Sequence, residues 1–506
     1  MVFFLRRHWL IIMVMLGLPV ILQAQPYQPE TQDDLMREIA MILDDEDFEN
    51  AFWGIHIKDL SKGTTLFQRN SRKSFMPASN TKLYTTATGL ELLGPDFRYQ
   101  TDLFYEGTIE DSVLYGSLIV RGSGDPTIGG RYHEDDHTWI FRQWADALKD
   151  AGIAAIQGDI IGDDRIFDDI PLGLGWAWDN ATYSYSAQLS GLSFNENCID
   201  VEIIGTQRGR PARILHEPLS TSYVNILNNT LTIPFGSEPL DRYQRFEGTN
   251  DINITSLVRE GDTITTSLSV HSPTLFFTHV LRETLIREGI PVFGGIRDIA
   301  RVPIKPDYDK QATLVTSYYS EPLAQITATT NKESQNLYAE QLLKTIGLLD
   351  TEEVSENHPV QGSHEGGLRV QLNFLADAGL DTSRVLLVDG SGLSRRNMVT
   401  PEMTTTLLTY MWNHPDEEVR EAFLNSLPVA GIDGTLETRF HSSLSFNNAR
   451  AKTGYVSNVR SLSGYVNSSN KSPLVFSIMS NHYTASTHKI NKLHEKIVNL
   501  LAGYLL

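Results

Sequence analysis

Cysteine is nearly absent from this sequence, which has only Cys198 among its 506 residues. A single thiol excludes an intramolecular disulfide and a cysteine-rich metal site, so we expect Cys198 to be a small buried apolar residue. Positive charge is also scarce, because 42 Lys and Arg face 62 Asp and Glu, for a formal net charge of −20. This acidic balance argues against nucleic acid or an anionic membrane surface as a partner.

Long uncharged apolar runs are missing too, with one exception at the N-terminus. Arg6 and Arg7 precede an uncharged stretch from Trp9 to Leu22, and Ala24 supplies a small residue for cleavage. This pattern predicts a secretory signal peptide over residues 1–24. Leu22 is larger than the residue favoured two positions before a cleavage site, so an uncleaved anchor is the alternative. Elsewhere no run approaches the ~20 residues that a membrane span needs.

The predicted signal also bears on where the protein works. We expect a secreted protein with no stable membrane span once residues 1–24 are removed. The signal contains no cysteine, which excludes a lipid anchor at that site. Export without a lipid or sorting anchor favours the periplasm as the location.

Strand and helix patterns divide the rest of the chain into three stretches. Residues 25–97 predict an acidic helix over 27–50 and then a β-hairpin from Phe52 to Phe67 that leads into a helix. Residues 98–310 contain mostly short strand-like runs, and residues 311–506 return to helices followed by strands. We therefore predict one discontinuous α/β (α+β) domain from the two outer stretches, with an antiparallel sheet flanked by helices, interrupted by a mostly β insertion.

Ser79 and Lys82 stand three residues apart at the start of the helical run that follows the hairpin. Residues at this spacing share one helix face, and a desolvated lysine can be the base that activates a serine hydroxyl. Because a hairpin leads directly into this helix, we expect Ser79 at the edge of a sheet. The pattern is weak alone, since Ser468 and Lys471 have the same spacing in what reads as a solvated turn.

Two further motifs follow, Ser334-x-Asn336 and Lys452-Thr453-Gly454. Ser-x-Asn occurs five times in the chain and carries little information alone, whereas Lys-[Ser/Thr]-Gly occurs once. Ser334 stands in a polar turn before a helix, and Lys452 stands on a strand before a hairpin. The same ordered triple is known from penicillin-binding proteins and class A β-lactamases, so the three motifs together predict a serine acyl-transfer site.

Two glycine-rich phrases, Asp389–Arg395 and Leu427–Leu436, add to the triple. Together these motifs resemble a class C low-molecular-mass penicillin-binding protein, and the resemblance extends over residues 35–500 or so. That family comprises D-alanyl-D-alanine carboxypeptidases and endopeptidases of cell-wall peptidoglycan. The two glycine-rich phrases are more specific to this family than the triple of motifs is. The resemblance implies a serine-type carboxypeptidase.

The resemblance also implies the internal division of the chain. The catalytic part would have a serine transpeptidase/β-lactamase-like fold, and its insertion would contain two domains. We place an inserted domain at 98–183 and 260–310, and a nested smaller β domain at 184–259. The sequence departs from the family pattern at Gln335, where Asp or Asn is commoner, and at Tyr455, where a smaller residue is common.

The resemblance assigns five catalytic residues. Ser79 would attack the peptide carbonyl and form an acyl-enzyme, and Lys82 would take the serine proton. Ser334 would relay a proton to the leaving amine, while Asn336 would hydrogen-bond the substrate amide and orient Lys82. Lys452 would add positive potential to the site.

Three neighbouring residues are predicted to bind the substrate. Thr453 would donate a hydrogen bond to the terminal carboxylate of the substrate. Gly454 would let the substrate backbone approach the strand closely. The backbone N–H of Tyr455, together with that of Ser79, would form the oxyanion hole by resemblance.

The leading hypothesis is therefore a serine DD-peptidase that acts on peptidoglycan stem peptides, is acylated by β-lactam antibiotics at Ser79 and requires no cofactor. A serine β-lactamase is the first alternative, but no Glu-x-x-Leu-Asn-like phrase that would supply a deacylating base follows the Ser-x-Asn motif. A catalytically silent peptidoglycan-binding scaffold is the second. Such a scaffold would not require an intact serine and two lysines, so their presence argues against it.

One competing motif points to zinc. His133-Glu134-Asp135-Asp136-His137 matches the His-Glu-x-x-His pattern of zinc proteases. A zinc site needs both histidines on one helix face and a third ligand. Here the segment follows Gly129 and Gly130 and reads as a polar loop at a helix start, so we predict no metal site.

Overall fold

The computed structural model describes residues 28–351 and 361–505, so the predicted signal peptide lies outside the described residues. The α-helices of the described residues are α1 Gln32–Leu43, α2 Thr81–Leu93, α3 Trp139–Asp150, α4 Pro273–Arg287, α5 Leu323–Lys332, α6 Asn336–Ile346, α7 His364–Asp377, α8 Pro401–Trp412, α9 Glu417–Ser426 and α10 Thr487–Gly503. None of these helices is long and apolar enough to cross a membrane.

Short strands dominate the middle of the chain, and longer ones lie near its two ends. The β-strands are β1 Phe52–Asp59, β2 Thr65–Arg69, β3 Gln100–Glu110, β4 Val113–Arg121, β5 Ala155–Ile156, β6 Ile160–Asp163, β7 Cys198–Ile204, β8 Arg213–Glu217, β9 Asn225–Asn228, β10 Leu231–Ile233, β11 Tyr243–Arg245, β12 Asp251–Ile254, β13 Leu257–Arg259, β14 Thr263–Ser269, β15 Ile296–Asp298, β16 Ala312–Tyr319, β17 Arg450–Val456, β18 Val459–Asn467 and β19 Pro473–Asn481.

The two ends of the chain meet in one five-stranded sheet of order β17-β18-β19-β1-β2. Every pair in it is antiparallel. The central strand β19 is buried along almost its whole length, and its alternate residues enter different cores. Phe476 and Ile478 pack with α1 and α10 on one face, while Val475 and Met479 pack with α2, α6 and α8 on the other. Alternate side chains of a strand point to opposite faces, so helices cover both faces of this sheet. The predicted antiparallel sheet flanked by helices is therefore confirmed.

The insertion is built around a six-stranded sheet of order β15-β6-β4-β3-β16, with β5 paired to β4. Smaller sheets follow in the order β14-β7-β8, β11-β12-β9 and β10-β13. One hydrophobic cluster runs from the large sheet through α3 and α4 into the smaller sheets, and it includes Leu118, Phe141, Ile199, Ile252 and Phe277.

Strand pairing corrects two of the predicted boundaries. The sequence places residues 312–319 in the catalytic stretch, but as β16 they pair with β3 in the sheet of the insertion. It places residues 263–269 in the inserted domain of 98–183 and 260–310, but as β14 they pair with β7, which lies in the predicted nested domain. Residues 302–311 connect β15 and its following 3-10 turn to β16 and are mostly exposed, so their polar composition reflects contact with solvent and not a change of domain. The rest of the predicted division stays a prediction.

Two local predictions also change. The acidic helix predicted over residues 27–50 is shorter, because α1 ends at Leu43 and a separate 3-10 turn follows at Glu46–Phe48. Ser79 does lie at a sheet edge, but the edge is β17 and not the β1–β2 hairpin that precedes it. The chain crosses the face of the sheet between the hairpin and α2.

Candidate active site

Ser79 lies in a 3-10 turn, Ala78–Asn80, immediately before α2. Ala78 has a left-handed backbone, with φ of 47°. The hydroxyl of Ser461 donates to the carbonyl of Pro77 at 2.6 Å, and Asn80 Nδ2 donates to the carbonyl of Lys452 at 2.8 Å. These bonds fasten the turn to strands β17 and β18, so the position of the half-buried Ser79 is set by the sheet as well as by the helix.

Two glycines let the chain close around this turn. A Cβ at Gly392, whose φ is +84°, would stand 1.9 Å from the Ala78 carbonyl oxygen. A Cβ at Gly454 would stand 2.1 Å from Ser461 Oγ and 2.7 Å from the Pro77 carbonyl oxygen. The close approach that Gly454 permits is therefore that of the turn carrying Ser79, whereas an approach of substrate backbone to Gly454 stays a prediction.

Lys82 is fully buried and its ammonium nitrogen has three oxygen neighbours. Nζ lies 3.2 Å from Ser79 Oγ, 2.6 Å from Asn336 Oδ1 and 2.8 Å from the carbonyl oxygen of Ser391. Burial lowers the pKa of Lys82 to about 7, and the nearby carboxylates of Glu340 and Asp389 oppose that fall. The side chain can therefore exchange a proton near neutral pH.

Lys452 forms a second buried pair across the cleft. Its Nζ donates to Ser334 Oγ at 2.9 Å and to the carbonyl of Thr453 at 3.0 Å. Ser334 itself has a left-handed backbone, with φ of 61°, in the turn between α5 and α6. Burial and the positive charges of Lys82 and Arg460 lower the pKa of Lys452 well below its ordinary value.

Asn336, the first residue of α6, connects the two parts of the molecule. Its Oδ1 accepts from Lys82, and its Nδ2 donates to the carbonyl of Tyr185 at 2.7 Å. An ammonium group cannot accept and a carbonyl cannot donate, so both neighbours require the same orientation of the amide. The inserted segment containing Tyr185 thus helps to hold the amide that faces Lys82.

The predicted substrate-binding residues lie on β17. Its outer side is bridged, among the described residues, only at its start by Val429. Thr453 Oγ1 donates to Thr435 Oγ1 at 2.8 Å, which brings the second glycine-rich phrase against the Lys-Thr-Gly motif. Tyr455 is half exposed, and the guanidinium of Arg460 lies 5.4 Å from its ring centroid.

These residues open on a cleft of about 580 Å³ that Ser79, Ser334, Asn336 and Tyr455 line. Its remaining wall comes from the Gly392–Arg395 segment, from Val456 and Ser457, and from the insertion at Gly175, Ala177, Asp179, Asn180 and Tyr185. The sequence did not predict the residues contributed by the insertion. They belong to no motif, and only the docking of the insertion brings them to the cleft.

The other residues that the sequence analysis considered, in the zinc-like motif, at Cys198 and in the second Ser-x-x-Lys pattern, do not line the cleft. His133 stacks on Trp139, and His137 Nδ1 lies 2.8 Å from Asn195 Oδ1. Residues 131–138 form turns, so the two histidines do not share a helix face. Cys198 is buried as expected. Ser468 and Lys471 lie in the β18–β19 turn, where the N–H of Lys471 donates to the carbonyl of Ser468 at 2.9 Å.

The fold is that of the penicillin-binding serine hydrolases. A solved structure of penicillin-binding protein 4 from Haemophilus influenzae matches with a TM-score of 0.77 and 22% identity, covering 92% of this chain and 99% of that one. Its complex with a β-lactam matches with a TM-score of 0.70 and 21% identity, covering 91% and 98%. These likenesses confirm the predicted fold class.

The family follows from sequence. Residues 35–504 match the profile of the D-Ala-D-Ala carboxypeptidase 3 (S13) family. A D-alanyl-D-alanine carboxypeptidase from Actinomadura sp. (strain R39) is 31% identical over 463 residues, which cover 89% of this chain and 81% of that protein. The chain therefore belongs to the S13 family of D-Ala-D-Ala carboxypeptidases. The predicted resemblance to low-molecular-mass penicillin-binding proteins, and the prediction of a serine-type carboxypeptidase, are confirmed.

Proposed function

We propose that this enzyme cleaves D-alanyl-D-alanine termini of peptidoglycan stem peptides through an acyl-enzyme on Ser79. The observation that carries the proposal is the position of Lys82, whose Nζ lies 3.2 Å from Ser79 Oγ and is otherwise surrounded by two carbonyl oxygens. No histidine is needed in this arrangement, because a lysine of lowered pKa can be the base.

The two carbonyl oxygens decide which way the lysine faces. A neutral amine has two hydrogens and one lone pair. The oxygens of Asn336 and Ser391 can only accept, so they take the two hydrogens and leave the lone pair directed at Ser79. Lys82 would then remove the proton of the Ser79 hydroxyl as its oxygen attacks the substrate carbonyl.

The opposite wall would serve the leaving group and the substrate terminus. Ser334, bonded to Lys452, would return a proton to the departing D-alanine amine. Thr453 and Lys452 would bind the terminal carboxylate, whose negative charge favours the protonated form of Lys452. The backbone N–H groups of Ser79 and Tyr455 would bind the oxyanion, and one such donor typically contributes ~10²–10³ in turnover.

The same geometry would admit a β-lactam, whose ring carbonyl would acylate Ser79. Cross-linked peptides are a further proposed substrate, which would make the enzyme an endopeptidase as well. We place the enzyme in the periplasm, since a signal peptide is predicted at residues 1–24 and peptidoglycan lies outside the cytoplasm.

A labelling experiment tests this proposal. Purified protein is incubated with a fluorescent penicillin and the adduct is mapped by peptide mass spectrometry, with Ser79→Ala as the inactive variant and Ser468→Ala as its matched control. We expect label on Ser79 in the native and Ser468→Ala proteins, none in Ser79→Ala, and release of D-alanine from a pentapeptide. Absence of label would contradict the proposal, and rapid loss of label would favour the β-lactamase.

A further inference from the structure

Glu340 is a fully buried carboxylate that none of the three motifs contains. It lies on α6, four residues after Asn336, so the two side chains lie on the same side of the helix. A buried carboxylate is expensive to desolvate and is retained only with partners that compensate its charge. Its partners therefore indicate what it does.

Within the part of the chain that the structure describes, the three partners of Glu340 are all hydrogen-bond donors. Oε1 accepts from the backbone N–H of Ser391 at 2.8 Å. Oε2 accepts from the N–H of Gly390 at 3.0 Å and from His364 Nε2 at 2.9 Å. Burial would raise the pKa of Glu340, but the bonds from His364, Ser391 and Gly390 outweigh it and lower the pKa, so the group is ionised.

The held backbone leads directly to Lys82. The N–H of Ser391 is bound by Glu340, and the carbonyl of the same residue accepts from Lys82 Nζ at 2.8 Å. This carbonyl is one of the two oxygens that direct the lone pair of Lys82 at Ser79. Whatever fixes residues 390–391 therefore fixes the direction of the base.

We propose that Glu340 is a positioning residue for the acylation step: it holds the 390–391 backbone so that the Ser391 carbonyl orients Lys82, and its charge opposes that of the buried lysine pair. This inference rests on the proposed role of Lys82 as the base. It gives the Asp389–Arg395 phrase a catalytic purpose, since that phrase supplies both the carbonyl and the second buried carboxylate.

Among residues 28–351 and 361–505, three charged groups face Lys82 from the elements packed around it. Glu340 comes from α6, Asp389 from the glycine-rich phrase and Lys452 from β17. Asp389 accepts from the N–H groups of Gly392 and Ser394, from Asn397 Nδ2 and from Trp176 Nε1. Asp389 is thus occupied by its own loop and by Trp176 of the insertion, which leaves Glu340 as the carboxylate that binds the Ser391 peptide.

The test compares two variants with a matched control. Glu340→Gln keeps the shape and removes the charge, whereas Glu340→Asp keeps the charge but shortens the reach. The control is Glu91→Gln, because Glu91 lies on α2 and accepts from His414 Nε2 at 2.7 Å, a comparable carboxylate–histidine pair away from the cleft. The rate of acylation by a fluorescent penicillin is measured from pH 5 to pH 9, together with thermal unfolding.

We expect Glu340→Gln to acylate about tenfold more slowly at its optimum, which is the loss of one charge-assisted hydrogen bond. Removing the anion also disfavours the protonated form of Lys82, so the acid limb of the profile should move to lower pH by roughly one unit. Glu340→Asp should slow acylation and keep the native limb. Glu91→Gln should match the native protein in its acylation rate and in the position of its acid limb.

The outcomes separate the inference from the function it rests on. Native protein that is not labelled on Ser79 would overturn both. Labelled native protein with a Glu340→Gln profile superimposed on the native one would overturn the inference alone. So would a slower Glu340→Gln enzyme whose acid limb does not move, since that is the signature of a purely structural role. If Glu340→Gln does not fold, the test falls to Glu340→Asp, which keeps the charge. An acid limb of its pH–rate profile that is displaced from the native one would then overturn the inference.

Discussion

Two regions of the chain contain the same motifs. In the β18–β19 turn, Ser-x-x-Lys and Ser-x-Asn share one serine, Ser468, whereas at the cleft the two motifs begin at different serines, Ser79 and Ser334. At Ser468 the hydroxyl donates to Asn470 Oδ1 at 2.6 Å and accepts from the N–H of Ser472, while Lys471 is exposed. At Ser79 the hydroxyl faces a lysine that is fully buried. Equal spacing thus produces a closed polar turn in one place and a candidate acid–base pair in the other.

The difference comes from what surrounds each lysine. Lys471 has a left-handed backbone, with φ of 65°, and no helix brings its side chain back over Ser468. Lys82 lies in the first turn of α2, where Asn336, Ser391 and Ser79 converge from three separate segments. Desolvation moves its proton affinity into the range where a base is useful, and only a packed interior can supply that desolvation.

The largest contrast should appear when each lysine is removed. Lys82→Ala deprives Ser79 of its base, so penicillin acylation should slow by about 10²–10⁴, the usual contribution of general-base catalysis. Lys471→Ala should acylate at the native rate. Stopped-flow labelling of both variants checks this, and equal rates for the two would refute the assignment of Lys82.

The pH dependence should be the next largest effect. The base must be neutral, and the pKa of Lys82 is about 7, so its neutral fraction falls as pH decreases through that value. Acylation should therefore slow by roughly tenfold for each pH unit well below 7. The measurement is the second-order rate constant with a penicillin from pH 5 to pH 9. A flat profile across this range would contradict a lysine base of lowered pKa.

The two asparagines give a smaller contrast. Asn336→Ala removes one of the two oxygens that direct Lys82, and the bond from Nδ2 to the Tyr185 carbonyl. Loss of a hydrogen bond to a charged group predicts acylation that is about tenfold to a hundredfold slower. Asn470→Ala should leave the rate unchanged. Peptidase and labelling assays on both variants check this, and a silent Asn336→Ala would show that Ser391 alone orients the lysine.

The smallest effect is expected at Gly454. In Gly454→Ala the new methyl group meets Ser461 Oγ and the Pro77 carbonyl, which pushes the Ser79 turn away from β17. Overpacking of this kind costs about 1–3 kcal/mol of stability, and acylation should fall several-fold. Gly295→Ala is the control, because its Cβ would meet only Asp159 Oδ1 at 3.7 Å. Thermal unfolding and labelling rates of both variants are the measurement. A Gly454→Ala protein with native stability and a native labelling rate would contradict the predicted displacement of the Ser79 turn.

Much of the fold could be predicted because its signals are local. The strand alternation around β17 and β18 and the helical run after Ser79 depend on neighbouring residues, so pattern alone places them. The boundary before β16 could not be predicted. Which sheet accepts a strand depends on the partner that offers free backbone groups, and β3 is about 200 residues away in sequence.

The candidate site divides in the same way. Local sequence was enough to predict the chemistry: a serine, two lysines and an asparagine, in an order that is known from penicillin-binding proteins. The tertiary structure decided which of two identical spacings becomes a site, because burial of Lys82 requires α6, β17 and the glycine-rich phrase to close around it. It also decided the role of Glu340, a helix glutamate whose importance comes from the Ser391 peptide that it binds. Proton affinity and lone-pair direction are properties of an environment, and the environment exists only once distant segments have packed together.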